Sequence, residues 1–207
     1  MKKTLFTTSI AVTAALALIG AGCTNSTSTS TTTTPSVTSN VSTTPDVAVT
    51  PFDENTTDTE ILADVNGQWA TSATASSEYG TDNWAAKQAT GKPNVTAFGD
   101  NAKAWAPLEK NGGEETLELS YADPVSAVGV RILESYGNGT LTEIELRDTN
   151  NEYHSIWSGT DTTSGLEYIQ VEINPTEYDV DGIKLTFDTT TLTDEWAEID
   201  AVQLVGE

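Results

Sequence analysis

The chain has 207 residues with 31 acidic and 9 basic side chains, a formal net charge of −22, and a single cysteine and histidine. This balance excludes nucleic-acid binding, which needs a basic footprint, and works against contact between the folded part and anionic lipid head groups. One cysteine excludes an intramolecular disulfide, and with one histidine it excludes the common zinc ligand sets.

Lys2 and Lys3 open the chain, and an apolar run from Ile10 to Ile19 follows, broken only by Thr13. Gly20, Ala21 and Gly22 then lead to Cys23. Thr7, Thr8 and Ser9 keep the run short of the roughly 18 residues that a membrane-spanning helix requires. A charged start, a short apolar stretch and a small-residue cleavage zone make residues 1–22 a secretory signal peptide. The string Leu18-Ile19-Gly20-Ala21-Gly22-Cys23 resembles the lipobox of bacterial lipoproteins, with Gly20 where an aliphatic residue is commoner. The resemblance implies a lipidated Cys23 as first mature residue, carrying enough acyl chains to anchor durably. The expected location is the exported face of a bacterial envelope, at the outer membrane in a diderm, where Thr24 rather than Asp follows the cysteine. The membrane is then met through the lipid alone.

Loss of Lys2 and Lys3 with the signal leaves 7 basic against 31 acidic residues, a formal charge of −24. Cation binding or electrostatic steering is one reading; adaptation to a salty or acidic medium is the other. Residues 23–65 form the linker. Thr and Ser dominate to about residue 58, with Pro35, Pro45 and Pro51 interspersed and Phe52 the first aromatic after the cysteine. Such a segment has too little apolar surface to offset the entropy lost on ordering, and is expected to be an extended tether.

From residue 66 the pattern changes, and all five tryptophans lie in this part. Leu117, Leu119 and Tyr121 alternate with polar neighbours, as do Val128, Val130 and Ile132, and then Ile144 and Leu146. Ile169, Val171 and Ile173 form a further set, Ile183, Leu185 and Phe187 another, and Ile199, Val202 and Leu204 a last one with an irregular step. Turns are expected at Ala122-Asp123-Pro124, Gly137-Asn138-Gly139, Thr149-Asn150-Asn151, Ser164-Gly165 and Asp181-Gly182, and a helical turn within 83–89. Short runs of period two between such turns predict an all-β, antiparallel sandwich or barrel over 66–207.

The ordered set Trp69-Ala70-Thr71-Ser72, Ala86-Lys87-Gln88-Ala89-Thr90-Gly91-Lys92-Pro93-Asn94, Ala104-Trp105-Ala106-Pro107, Glu134-Ser135-Tyr136 and Glu198-Ile199-Asp200-Ala201-Val202 resembles discoidin-like, galactose-binding-like domains. It is similar to a subgroup found in bacterial secreted proteins, pappalysins and an F-box leucine-rich-repeat protein, from which Ser135 and Gly137-Asn138-Gly139-Thr140 depart. The resemblance implies a jelly-roll β-sandwich of about eight strands, used mostly for binding and seldom for catalysis. It also implies one structural calcium, held by Glu198 with Asn94 and Asp100; Thr90 stands where related modules often carry Asp. Calcium needs such hard oxygen ligands.

Other chemistry is less well supplied. His154 lies in an expected strand, Tyr153 to Trp157, and reads as structural rather than as the base of a catalytic triad. Carboxylates are too many for any glycosidase pair to stand out. Glu177, Asp179 and Asp181 are spaced like an EF-hand loop, yet Pro175 denies an entering helix and Ile183, Leu185 and Phe187 continue as a strand, so a turn into a strand is expected. Sugar sites combine aromatic surfaces with a few directed polar groups. Tyr79, Trp84, Tyr136, Asn138 and Trp196 sit in or beside expected loops, and Tyr136, Asn138 and Trp196 are the ligand candidates, while Trp105 and Trp157 are expected to plug the core. The expected function is non-catalytic recognition of a glycan or a partner protein. The alternative is an envelope adaptor that makes protein contacts only.

Overall fold

The structure, a computed structural model, describes residues 56–207. Cys23, the signal segment and the Ser/Thr-rich residues up to 55 lie outside the described residues.

Eight antiparallel strands follow one short helix, α1 (Asp58–Ala63). The strands are β1 (Gly67–Trp69), β2 (Ser72–Ala75), β3 (Glu114–Tyr136), β4 (Leu141–Asp148), β5 (Tyr153–Ser158), β6 (Glu167–Glu172), β7 (Asp179–Asp188) and β8 (Glu198–Gly206). The alternating runs form these strands because the apolar residue of each pair can face a shared core while its neighbour faces out. Leu117, Leu119, Ile144, Leu146, Ile183, Leu185 and Phe187 from one sheet meet Val130, Ile132, Ile169, Ile199, Val202 and Leu204 from the other.

Strand β3 belongs to both sheets. Its first half pairs with β2 and β7, its second half with β6 and β8. Strands β4 and β5 extend the first sheet beyond β7, and β1 extends the second beyond β8. Ala122-Asp123-Pro124, expected as a turn between two strands, is instead a bend inside one, and the β3–β7 register slips between Ser120 and Val125. Pro124 lacks the N–H that a regular ladder uses there. The irregular step between Ile199 and Val202 is a bulge: Leu133 faces Ala201 but Glu134 faces Ile199.

Two further expectations need correction. Residues 58–63, assigned to the linker on composition, form α1 with a Thr57/Glu60 capping box. Ile61 is 1% exposed, and its carbonyl accepts from Gln203 Nε2 at 3.2 Å. The Arg131 guanidinium meets Asp64 Oδ2 and Gln203 Oε1, both at 2.7 Å, so α1 and its following turn dock on the outer face of the second sheet. One buried apolar residue, an ion pair and a few hydrogen bonds hold it there, among them Lys92 Nζ to Leu62 O at 3.2 Å, too sparse a signal for composition to register. Trp157, expected in the core, is only partly buried on edge strand β5. Trp105 does plug the core: it is fully buried, its ring centroid is 5.3 Å from that of Phe187, and its indole N–H reaches Ser77 O at 3.0 Å.

Candidate functional site

At one end of the sandwich three connections meet: the long excursion between β2 and β3, the β3–β4 turn and the β7–β8 loop. The excursion is tied down by backbone hydrogen bonds. Trp105 exchanges both of its backbone bonds with Ile199, and Gly99 N–H donates to Ser135 O at 2.9 Å. Tyr79 N–H donates to Ala106 O at 2.9 Å.

Trp84 has φ 54°, in the left-handed region that a bulky residue seldom adopts. Its surroundings hold it there. The Trp84 N–H donates to Ala102 O, its carbonyl accepts from Ala106 N–H, and its indole N–H donates to Asp100 Oδ1 at 2.9 Å. The ring is thereby set edge-to-face against Tyr79, with centroids 5.4 Å apart and planes at 76°. Trp196 meets Tyr79 in the same way, at 5.4 Å and 75°. Tyr79, Trp84, Asp100, Ala106, Trp196 and Glu198 line a small cavity of about 80 Å³.

Glu198 sits at its base, 1% exposed. Oε2 accepts from Asn101 N–H at 2.9 Å, whereas Oε1 is buried without a partner. The indole N–H of Trp196 is likewise buried and unpaired. Burial, reinforced by the nearby Asp100 carboxylate, pushes the Glu198 carboxyl up to about 8, against the stabilising Asn101 N–H.

The sequence candidates are thus dispersed. Trp196 lines the cavity. Tyr136 stands beside it, edge-on to Phe98 at 5.4 Å. Burial, then the Glu195, Asp100, Glu198 and Asp194 carboxylates, raise its hydroxyl pKa, a sign of a negative potential at this end. Asn138 turns elsewhere: its amide donates to Glu134 Oε2 at 2.9 Å and to Thr163 Oγ1 at 3.3 Å. Of the three expected calcium ligands, Asp100 and Glu198 meet at the cavity but Asn94 does not. Asn94 is exposed, and its backbone N–H, with that of Val95, donates to Asp200 Oδ2 at 2.9 and 3.0 Å. Two carboxylates among aromatic walls are far fewer than the six to eight oxygens calcium takes, so Asn94, Asp100 and Glu198 do not by themselves make a calcium site. Exchanging chelator for excess calcium is therefore expected to leave the melting temperature unchanged. A rise of several degrees would restore the ion.

Two carboxylate clusters lie outside the cavity. Asp161, which no sequence pattern singled out, faces Glu134 through Thr163, whose Oγ1 is 2.6 Å from Glu134 Oε2 and 2.7 Å from Asp161 Oδ1. Asp161 Oδ2 accepts from Gly139 N–H at 2.6 Å. The Asp-x-Thr spacing, with Thr163 N–H returning to Asp161 Oδ1, is the one local trace of it. The second cluster, Asp148, Glu152 and His154, is spaced for a metal ion. Asp148 Oδ1 is committed to the N–H groups of Asn150 and Glu152, at 2.8 and 2.9 Å. His154 Nε2 is 3.2 Å from Asp148 Oδ2, and the ring stacks on Tyr178 at 4.1 Å, which agrees with a structural role. The acids spaced like an EF-hand lead into a strand, as expected, but Asp181-Gly182, expected as a turn, lies inside β7, where Asp181 pairs with Arg147 at 2.9 Å.

Chitosan-binding module 1 of a chitosanase/glucanase from Paenibacillus sp. IK-5 superposes with a TM-score of 0.50 and 14% identity, over 65% of this chain and 94% of that one. XRCC1, solved with the DNA polymerase β catalytic domain, gives 0.51 and 10%, over 69% and 97%. A family 32 carbohydrate-binding module of C. perfringens NanJ, solved with galactose, gives 0.49 and 17%, over 67% and 98%. No curated protein sequence matches the chain. At 0.50 and above these likenesses establish a shared β-sandwich fold and nothing about ligand. Residues 60–207 match the family described as Pappalysin-1, SD scarf domain, C-terminal, from within α1 to the chain's end, and the chain belongs to that family.

Proposed function

We propose that this is a non-catalytic binding module, tethered to the envelope by a lipid on Cys23, whose cavity between Tyr79, Trp84 and Trp196 takes part of a glycan. One observation carries the reading. The cavity is walled by aromatic rings, and two of the residues lining it carry a buried polar atom without a partner, the acceptor Glu198 Oε1 and the donor Trp196 Nε1. Buried polar atoms are normally paired, and a sugar edge supplies both a donor and an acceptor while its C–H face lies on an aromatic ring. A chitosan-binding module uses the same fold, which makes the reading compatible with the scaffold but does not supply it.

The full chain on a glycan array is expected to show binding that Trp196→Ala or Trp84→Ala abolishes and Tyr136→Ala weakens at most severalfold. Binding that survives both tryptophan changes would move the site away from the cavity. The adaptor reading has an observation of its own: Phe98 and Leu108, on the same excursion as Tyr79, are 46% and 53% exposed. An array without any bound glycan, together with capture of an envelope protein lost on Phe98→Ser, would favour it.

A further inference from the structure

The cavity also says which kind of sugar it suits. We propose that it selects a protonated primary amine carried on a glycan, an amino sugar with a free rather than an acetylated amine, through Glu198, Asp100 and the rings of Trp84 and Trp196. The inference rests on the glycan reading above and deepens it.

Three observations converge. The acceptor left unpaired is a carboxyl oxygen 1% exposed at the base of the cavity, and the second carboxylate, Asp100, lies exposed at its edge. Burial keeps a proton on Glu198 in the free protein, and an ammonium group against Oε1 favours the ionised form and then gives it a charge-assisted hydrogen bond, which a neutral hydroxyl cannot match. The walls are aromatic faces, to which ammonium groups are drawn. The protein already shows this at Trp196, where the Lys110 ammonium lies 4.9 Å from the ring centroid and 3.6 Å from Asp194. Finally, the carboxylates of Glu195, Asp100 and Asp194 all act on Tyr136 beside the cavity, so the potential at this end attracts cations. The orphan donor, Trp196 Nε1, separates a sugar from a bare amine: it needs an acceptor, and the hydroxyl next to a ring amine is one. An N-acetyl group in the same place would bring a neutral amide and a methyl against Glu198 and leave its oxygen without a cation.

The test uses the full chain and two probes of equal length, a glucosamine oligomer and an N-acetylglucosamine oligomer, titrated calorimetrically at fixed pH and ionic strength. The glucosamine oligomer is expected to bind at least about tenfold more tightly. Glu198→Gln, which keeps shape and can still accept from Asn101 N–H, is expected to remove that preference. Asp100→Asn is expected to reduce it severalfold. Asp123→Asn, on an exposed bend of β3, changes the net charge equally and is expected to change nothing, which separates the cavity from attraction of a polycation to an acidic protein. Equal binding of both oligomers would overturn the inference and leave the glycan reading standing. A preference reduced as much by Asp123→Asn as by Glu198→Gln would overturn it too. No binding of either oligomer, beside an array that shows another sugar lost on Trp196→Ala, would overturn it while the site itself survives; an empty array would remove both.

Discussion

Replacing Glu134 by Gln is expected to flatten the dependence of stability on pH between about 4.5 and 8. Glu134 is 1% exposed beside Asp161, and burial is the main force on it. Together with the Asp161 carboxylate, burial lifts its pKa to about 8, outweighing the Thr163 hydroxyl and Asn138 amide that favour the ion. Asp161 moves the opposite way: burial opposes its ionisation, but hydrogen bonds from Thr163, Glu134 and Gly139 hold it below the usual range. The geometry requires a shared proton. One Thr163 hydroxyl hydrogen cannot serve carboxyl oxygens at 2.6 and 2.7 Å at once: while Glu134 is protonated it donates to Thr163 Oγ1, which donates to ionised Asp161, and only once Glu134 ionises can Thr163 turn its hydrogen to it.

In the unfolded chain Glu134 ionises near its ordinary pKa, whereas in the folded protein it keeps its proton to about 8. The unfolded state therefore binds fewer protons over that interval, and stability falls as pH rises, by up to about 1.4 kcal/mol per pH unit for one such group. The contribution is complete below the unfolded pKa and gone above the folded one. Glu198, also raised to about 8, adds in the same sense. Asp161, Asp148 and Asp188, held low, act oppositely, and their share is lost as pH falls below the ordinary aspartate range. Maximum stability is thus expected in mildly acid solution. Urea unfolding at pH 5 and pH 8 should show the parent losing several kcal/mol, roughly 2 to 4 more than Glu134→Gln. Parallel losses in the two proteins would refute the shared proton.

Gly137→Ala is expected to cost about 3 kcal/mol or more and to empty the ligand site with it. Gly137 has φ 60°, and a Cβ there would stand 2.2 Å from Trp196 O and 2.6 Å from its carbonyl carbon. The left-handed backbone alone penalises alanine by about 1 kcal/mol. The larger part is the collision with main-chain atoms, which cannot swing aside like a side-chain tip. Relief requires the β3–β4 turn and the β7–β8 loop to part, carrying Trp196 from Tyr79 and Glu198. The measurement is a pair: the unfolding midpoint, and glycan binding at a temperature where the variant is folded. Gly139→Ala is the comparison, since its Cβ would meet only Asp161 O at 3.8 Å although its φ is 87°. Equal losses in both variants would mean that backbone conformation, not the close approach to Trp196, sets the cost.

Much of the scaffold was legible along the chain. Alternation in Leu117-Glu118-Leu119, Ile183-Lys184-Leu185 and their like is a local property, since neighbouring side chains of a strand must point to opposite faces. That is why the all-β class, the core residues and even the irregular step before Val202 could be read there. The ordered motifs from Trp69 to Val202 carried the family as well. Composition, by contrast, cannot see one buried Ile61 held by Gln203, or the Arg131–Asp64 pair beside it, and so places α1 with the linker.

Which loop residues face one another is set by the folded chain alone. Trp196 and Tyr136 look equivalent in the sequence, and so do Asn94 and Asp100. Yet Trp196 closes a cavity with Tyr79 and Trp84, while Tyr136 pairs with Phe98. Asp100 meets Trp84 and Glu198, while Asn94 is fastened to Asp200. The difference arises from contacts between segments about a hundred residues apart, chosen by the crossing of β3 between sheets and by the bulge in β8. Strand formation depends on each residue's neighbours in the chain. A binding site depends on where distant strands end, and no repeat in the sequence encodes that.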